Sequence, residues 1–160
     1  DVWSPMQFEN LDNVECHRDT TGPEIHLQLD PNMPWSGFVG GAGTGGTMMG
    51  MHDYRDKTKF LDYKCVLVVP EEDAQNHGIQ GINDGQDFLL DPDKMDDIMK
   101  VSTADAIERA RRLAQENGLL VGISAGANVL AAERWIAKRR PAGVVVTILC
   151  DRGERYLSCS

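Results

Sequence analysis

The stretch Gly37-Phe38-Val39-Gly40-Gly41-Ala42-Gly43-Thr44-Gly45-Gly46-Thr47 constrains this chain more than any other. A short apolar run delivers the backbone into a turn so rich in glycine that the main chain can fold back tightly. Thr47-Met48-Met49-Gly50-Met51-His52-Asp53-Tyr54-Arg55 then follows with helical length and a charged end. Strand, tight loop, helix is the simplest reading. In such a loop, successive N–H groups and the positive end of the helix converge on one point, which suits an anion. A phosphate is the natural guest, although glycines that only join strand to helix would look the same.

The rest of the chain repeats the alternation. Lys64-Cys65-Val66-Leu67-Val68-Val69 halts at Pro70, a residue that cannot donate to a sheet, and reads as the next strand. Residues 71–92 carry few apolar anchors and read as a long loop. Ser102-Thr103-Ala104-Asp105 has the form of a helix start, and Ala106, Ile107, Ala110, Leu113 and Ala114 recur at helical steps until Asn117-Gly118. Leu119 to Ile123 reads as a short strand that turns at Ser124-Ala125-Gly126 into a helix over Ala127 to Arg140, and a final strand runs from Val144 to Leu149. Alternating strands and helices predict an α/β fold: a mostly parallel sheet with helices on both faces and ligands at the carboxyl ends of the strands. Residues 1–35, with Pro5, Pro23, Pro31 and Pro34, read as an irregular arm, and residues 36–160 as the α/β phosphate-binding domain.

Composition narrows the partners. With 41% apolar and 26% charged residues, the chain has the balance of a globular domain. A net charge of -9 opposes binding to a polyphosphate backbone, so nucleic acid is a poor partner. The longest apolar run, Val144 to Cys150, is far short of the ~18 residues that signal a membrane span, and a cytoplasmic setting is expected. Cys16, Cys65, Cys150 and Cys159 are scattered and read as free thiols, with Cys150 placed in the core as the last residue of its strand. His17, His26, His52 and His77 show no metal-ligand spacing and read as surface or loop residues.

Two cofactors fit the loop. Gly41, Gly43 and Gly46 satisfy G-x-G-x-x-G, and Glu71 falls just after the next strand, where the ribose of a dinucleotide would seek an acceptor. Against this, Thr44 and Thr47 add hydroxyl donors suited to the oxygens of a terminal phosphate monoester.

The phrases around the loop add a resemblance. Phe38 to Thr47, together with Thr20-Thr21-Gly22-Pro23-Glu24-Ile25, Gly118-Leu119-Leu120-Val121-Gly122-Ile123-Ser124-Ala125-Gly126-Ala127 and Gly153-Glu154-Arg155-Tyr156-Leu157-Ser158, resembles the cysteine synthase and cystathionine β-synthase family. These are pyridoxal-phosphate enzymes of the tryptophan-synthase-β fold type, and Cys150-Asp151-Arg152-Gly153 leans toward the second bacterial cysteine synthase isoform.

The resemblance implies that Gly43, Thr44, Gly45, Gly46 and Thr47 hold the phosphate of pyridoxal 5'-phosphate and that Ser124 contacts its ring nitrogen. A serine hydroxyl can hydrogen-bond a neutral ring nitrogen, whereas a carboxylate would favour its protonation; the weaker electron sink suits β-elimination and replacement. Outside the resemblance, Ser124 reads as a helix N-cap. Gln7 is implied near the substrate carboxylate and Gly81 in the loop over the site, while Asn83 stands where the family often has a glycine.

The family's Schiff-base lysine and its substrate-carboxylate loop are missing, and none of Lys57, Lys59, Lys64, Lys94, Lys100 or Lys138 sits in the required phrase. The chain therefore looks like the C-terminal half of such an enzyme, not expected to catalyse alone. With an N-terminal half, in the same or a separate chain, a homodimer would make cysteine or a thioether amino acid. It would do so from an O-activated serine or cysteine and a sulfur donor, through an aminoacrylate. The alternatives are a nicotinamide-binding oxidoreductase domain and a non-catalytic regulatory or assembly module.

Overall fold

A computed structural model describes residues 2–82 and 86–159. Four parallel strands, β1 (Trp35–Gly41), β2 (Lys64–Pro70), β3 (Asp97–Val101) and β4 (Val144–Thr147), lie in the order β3-β2-β1-β4. β1 and β2 sit in the middle, and their continuous apolar runs follow from burial on both faces.

The side chains of these strands alternate between two cores. Phe38, Cys65 and Leu67 face helix α3 (Gly46–Thr58) through Met48, Met51 and Tyr54, with Tyr63 beside them. Val39, Val66 and Val68 face the other way, toward Ala127, Ala131 and Trp135 of α5 (Ile123–Arg139), with Ala106 of α4 (Thr103–Asn117) behind them. Fully burying a valine or phenylalanine stabilises by about 1.5–3 kcal/mol, so this double burial sets the sheet order. The expected sheet, covered on both faces, is what forms.

Helix α4 begins and ends where its sequence indicated. Ser102 Oγ accepts the N–H of Asp105 at 3.2 Å, and Gly118 closes the helix at φ +68°. Glu72 adds a second cap, accepting the N–H of Thr103 at 2.8 Å.

Several expectations need correction. The first 35 residues are not irregular throughout: α1 (Asp12–Cys16), a π-helical turn over His17–Thr21 and α2 (Gly22–Gln28) form one helical run. Pro23 is no obstacle because it lies in the first turn of α2, where an absent N–H costs nothing. Leu119 to Ile123 forms no strand; Val121 makes one antiparallel bridge to Arg152, and α5 starts at Ile123 instead of Ala127. β4 stops at Thr147, and β3, inside a stretch without strong apolar patterning, had not been anticipated.

Candidate functional site

The carboxyl end of β1 and the amino end of α3 are joined by residues 42–45, which places the glycine loop over the strand ends. Gly45 adopts φ +92°, a left-handed conformation that glycine reaches without steric cost. A Cβ there would lie 2.4 Å from the backbone nitrogen of Leu90, so the position excludes other residues twice over. Neighbouring segments press equally close. A Cβ on Gly43 would meet the carbonyl oxygen of Gly81 at 2.7 Å, and one on Gly46 would meet Asn13 Oδ1 at 2.0 Å. Gly81, at φ +82°, is thus brought against the loop. Asn83 lies outside the described residues.

The first turn of α3 carries no carboxylate, so the partial positive charge of its N-terminus is not neutralised from within. Both loop threonines are held by the helical run before β1. Asn13 Nδ2 donates to Thr44 Oγ1 at 3.1 Å and to the Gln7 carbonyl at 2.8 Å, while the Gly46 N–H donates to Thr44 Oγ1 at 3.2 Å. His17 Nε2 lies 3.3 Å from Thr47 Oγ1, and its Nδ1 lies 2.8 Å from Thr21 Oγ1. Burial pushes the His17 imidazole below the ordinary histidine range, which favours the neutral ring.

The histidine reading is corrected here. His17 is half-buried beside the loop, His52 is 8% exposed against Asp53 and Asp56, and His26 contacts the Tyr54 hydroxyl at 3.0 Å. The contacts of His17 with Thr47 and of His26 with Tyr54 were not legible locally, because those partners arrive with helix packing.

Ser124 is 4% exposed in the first turn of α5. It is not the N-cap; that position is Gly122, with no side-chain cap bond, so the Ser124 hydroxyl is free of capping duty. Its neighbour is Cys150, whose thiol hydrogen-bonds with it. Cys150 is not a core strand residue. It lies beyond β4 and is exposed, with its sulfur turned inward to Asn128 Nδ2 at 3.9 Å; burial on that side raises the thiol above the usual cysteine range.

Asn128, one turn after Ser124, is the residue the sequence reading passed over. It is 1% exposed, accepts the Gly41 N–H at 2.9 Å and donates to the Ile148 carbonyl at 2.9 Å. It ties the end of β1, where the loop departs, to the chain beyond β4. The available signal was a lone asparagine among the small apolar residues that open α5.

Gln7 is exposed, but its carbonyl is joined to the loop through Asn13. Glu71 is exposed beside Gly43 in a cavity of about 430 Å³ that Ala42, Glu72, Asp87 and Leu90 also line. A larger hollow, about 790 Å³, opens at the amino end of the strands between Trp35 and Trp135 and contains none of the loop residues.

The chain has relatives among known proteins. Residues 2–151 match the family described as pyridoxal-phosphate dependent enzyme, and the chain belongs to it. Cysteine synthase B of Campylobacter jejuni is 41% identical across 95% of this chain and 52% of its own length. Two solved structures have the same fold. A hydrogen sulfide-producing enzyme from Fusobacterium nucleatum superposes at TM-score 0.85 with 36% identity, covering 98% of this chain and 49% of that one. O-acetyl serine sulfhydrylase isoform 3 from Entamoeba histolytica does so at TM-score 0.83 with 36% identity, covering 95% and 47%. The chain therefore spans about half the length of the relatives it matches. The family is pyridoxal-phosphate dependent, which favours that cofactor over a nicotinamide dinucleotide.

Proposed function

We propose that this chain is the part of a pyridoxal-phosphate dependent enzyme that holds the cofactor by its phosphate and its ring nitrogen. The assembled enzyme would perform β-replacement on an O-activated serine or on cysteine, with a sulfur donor, to give cysteine or a related thioether amino acid. The observation that carries the reading is the loop 43–47. It is followed by a helical turn without a carboxylate, and the oxygen of Thr44 already accepts two hydrogen bonds. With both acceptor positions used, the Thr44 hydroxyl has its proton left to donate, as a phosphate oxygen requires.

The residues present fit the cofactor. Gly43, Thr44, Gly45, Gly46 and Thr47 would hold the phosphate, with the α3 N-terminus adding its dipole. Ser124, buried and unused as a cap, would hydrogen-bond the ring nitrogen, its hydroxyl giving up the Cys150 thiol for that bond. When bound, pyridoxal phosphate supplies an electron sink that lets the β-substituent of an amino acid leave. Gln7 would orient the substrate carboxylate, and Gly81, pressed against Gly43, would carry the loop that shields the site from water.

The reactive lysine and the remaining substrate contacts would come from the half of the relatives' length that this chain does not match. The free edge of β4, four residues of Val-Val-Val-Thr with half-buried side chains, offers a place for that half to add a strand. Among the described residues no helix is long and apolar enough to cross a membrane. Free thiols and the family resemblance support a cytoplasmic homodimer as the complete form.

Mixing the chain with a lysine-bearing N-terminal half and an O-activated serine tests this activity. Release of the activating group and formation of a thioether or thiol amino acid on adding a sulfur donor is the expected result. Cofactor binding by the mixture with neither product would contradict it.

A further inference from the structure

Asn13 stands at a junction that neither the sequence phrases nor the family comparison assigns. The Gln7 carbonyl can only accept, so the amide of Asn13 must turn its nitrogen toward it. That nitrogen has two hydrogens. One goes to the Gln7 carbonyl at 2.8 Å and the other to Thr44 Oγ1 at 3.1 Å, which leaves no free donor on the side chain. On the opposite side Asn13 Oδ1 sits against Gly46, so close that a Cβ at Gly46 would reach 2.0 Å, and the amide cannot move without moving the loop.

Thr44 is fixed by the same contacts. Its Oγ1 accepts from Asn13 and from the Gly46 N–H, and its carbonyl accepts the Leu89 N–H at 2.9 Å. Two filled acceptor positions direct the remaining O–H outward. Losing the Asn13 bond would free one lone pair and let that hydroxyl rotate away from an anion.

The segment at the other end of Asn13 is otherwise lightly held. Residues 2–9 are exposed, their regular hydrogen bonds are those of the turn in which Glu9 and Asn10 donate to the Met6 carbonyl, and Phe8 rests on the Phe88 ring at 4.6 Å. A lightly held segment responds to one well-placed bond.

We propose that Asn13 is a positioning residue that couples occupancy of the phosphate loop to the placement of the Gln7 segment, so that binding the cofactor's phosphate orders the side of the site that receives the amino-acid carboxylate. The coupling rests on the cofactor and Gln7 readings above. It runs through two hydrogen bonds on one nitrogen atom, and no step of the chemistry passes through Asn13 itself.

Hydrogen–deuterium exchange of the 160-residue chain, with and without saturating pyridoxal 5'-phosphate, tests it, alongside cofactor affinity from quenching of tryptophan fluorescence. In the unsubstituted chain the cofactor should slow exchange of the amides of residues 9–14. In Asn13→Ala the affinity should fall about fivefold, the factor one ordinary hydrogen bond is worth, and the slowing should vanish even at saturation. Thr44→Ser should keep both effects and Thr44→Val should lose the slowing. Adding Asn13→Ala to Thr44→Val should change affinity less than about twofold, since the shared bond is already gone. A melting curve without cofactor reports whether Asn13→Ala folds; if it does not, the Thr44→Val and Thr44→Ser pair decides. Cofactor-dependent slowing that survives in Asn13→Ala or Thr44→Val would overturn the coupling and leave the cofactor reading intact. An unsubstituted chain that does not bind pyridoxal 5'-phosphate would overturn the cofactor reading and the coupling with it.

Discussion

Asn128 Oδ1 accepts the main-chain N–H of Gly41 at 2.9 Å across 87 positions of sequence, and its Nδ2 donates to the Ile148 carbonyl at 2.9 Å. One buried side chain thus joins the glycine loop's point of departure to the chain beyond the last strand. It does so from the helix that carries Ser124, so the glycine loop and the start of α5 share one support.

Replacing that support should be costly. Asn128, itself 1% exposed, gives up both bonds in Asn128→Ala and leaves the partly buried Gly41 N–H and Ile148 carbonyl short of a partner, a loss of about 3 kcal/mol. Thermal denaturation should show it as a melting temperature lower by roughly 8 °C. An unchanged midpoint would mean that the strand ends are held by other contacts.

Gly45→Ala places a side chain at φ +92° and drives its Cβ toward the Leu90 backbone. The strain is of order 1–3 kcal/mol, and relief requires the loop to open. Pyridoxal 5'-phosphate affinity should fall at least tenfold, as read by titration. Gly118→Ala, with a comparable φ of +68° but open space around it at the far end of α4, should lower stability alone.

Acid should loosen the loop through His17. Burial depresses its folded-state pKa, so the unfolded chain binds the proton more readily. The contribution to stability is complete above the unfolded value of about 6.5 and is lost as the pH falls toward the folded one. Urea midpoints at about pH 7.5 and about pH 5.5 should differ less in His17→Gln than in the unsubstituted chain. Equal differences would remove His17 from the account.

The thiols should separate into classes. Cys65 is fully buried and its thiol is pushed up to about 12 by desolvation, so in a Cys159→Ser background it should resist an aromatic disulfide reagent until the chain unfolds. Cys16 should react first. Cys150 should follow more slowly, because burial of its sulfur raises its pKa, and bound pyridoxal 5'-phosphate should slow it further through Ser124.

How much of this was legible in the sequence depended on whether a residue's partners lie near it in the chain. The glycine loop, α4 with its Ser102 cap and Gly118 stop, and β2 ending at Pro70 were readable because glycine, proline and apolar spacing act locally. The helical run before β1 was missed because Gly22-Pro23 reads as a break. The structure uses the bare Gly22 to approach Tyr54, where a Cβ would come within 2.5 Å of the ring, and places Pro23 where a helix tolerates it. Leu119 and Leu120 read as strand but are 43% and 49% exposed, since the sheet fills its order with β4 instead. Asn13, His17 and Asn128 left no local trace because the residues they meet in Gly41, Thr44 and Thr47 are 30 or more positions away.

The most direct measurement is a calorimetric titration of the chain with pyridoxal 5'-phosphate and, separately, with pyridoxal, which lacks the phosphate. One-to-one binding of the first, no detectable binding of the second, and loss of the first in Gly45→Ala is the predicted outcome. Equal binding of both compounds, or phosphate-dependent binding that survives Gly45→Ala, would contradict the assignment of residues 43–47 as the phosphate site.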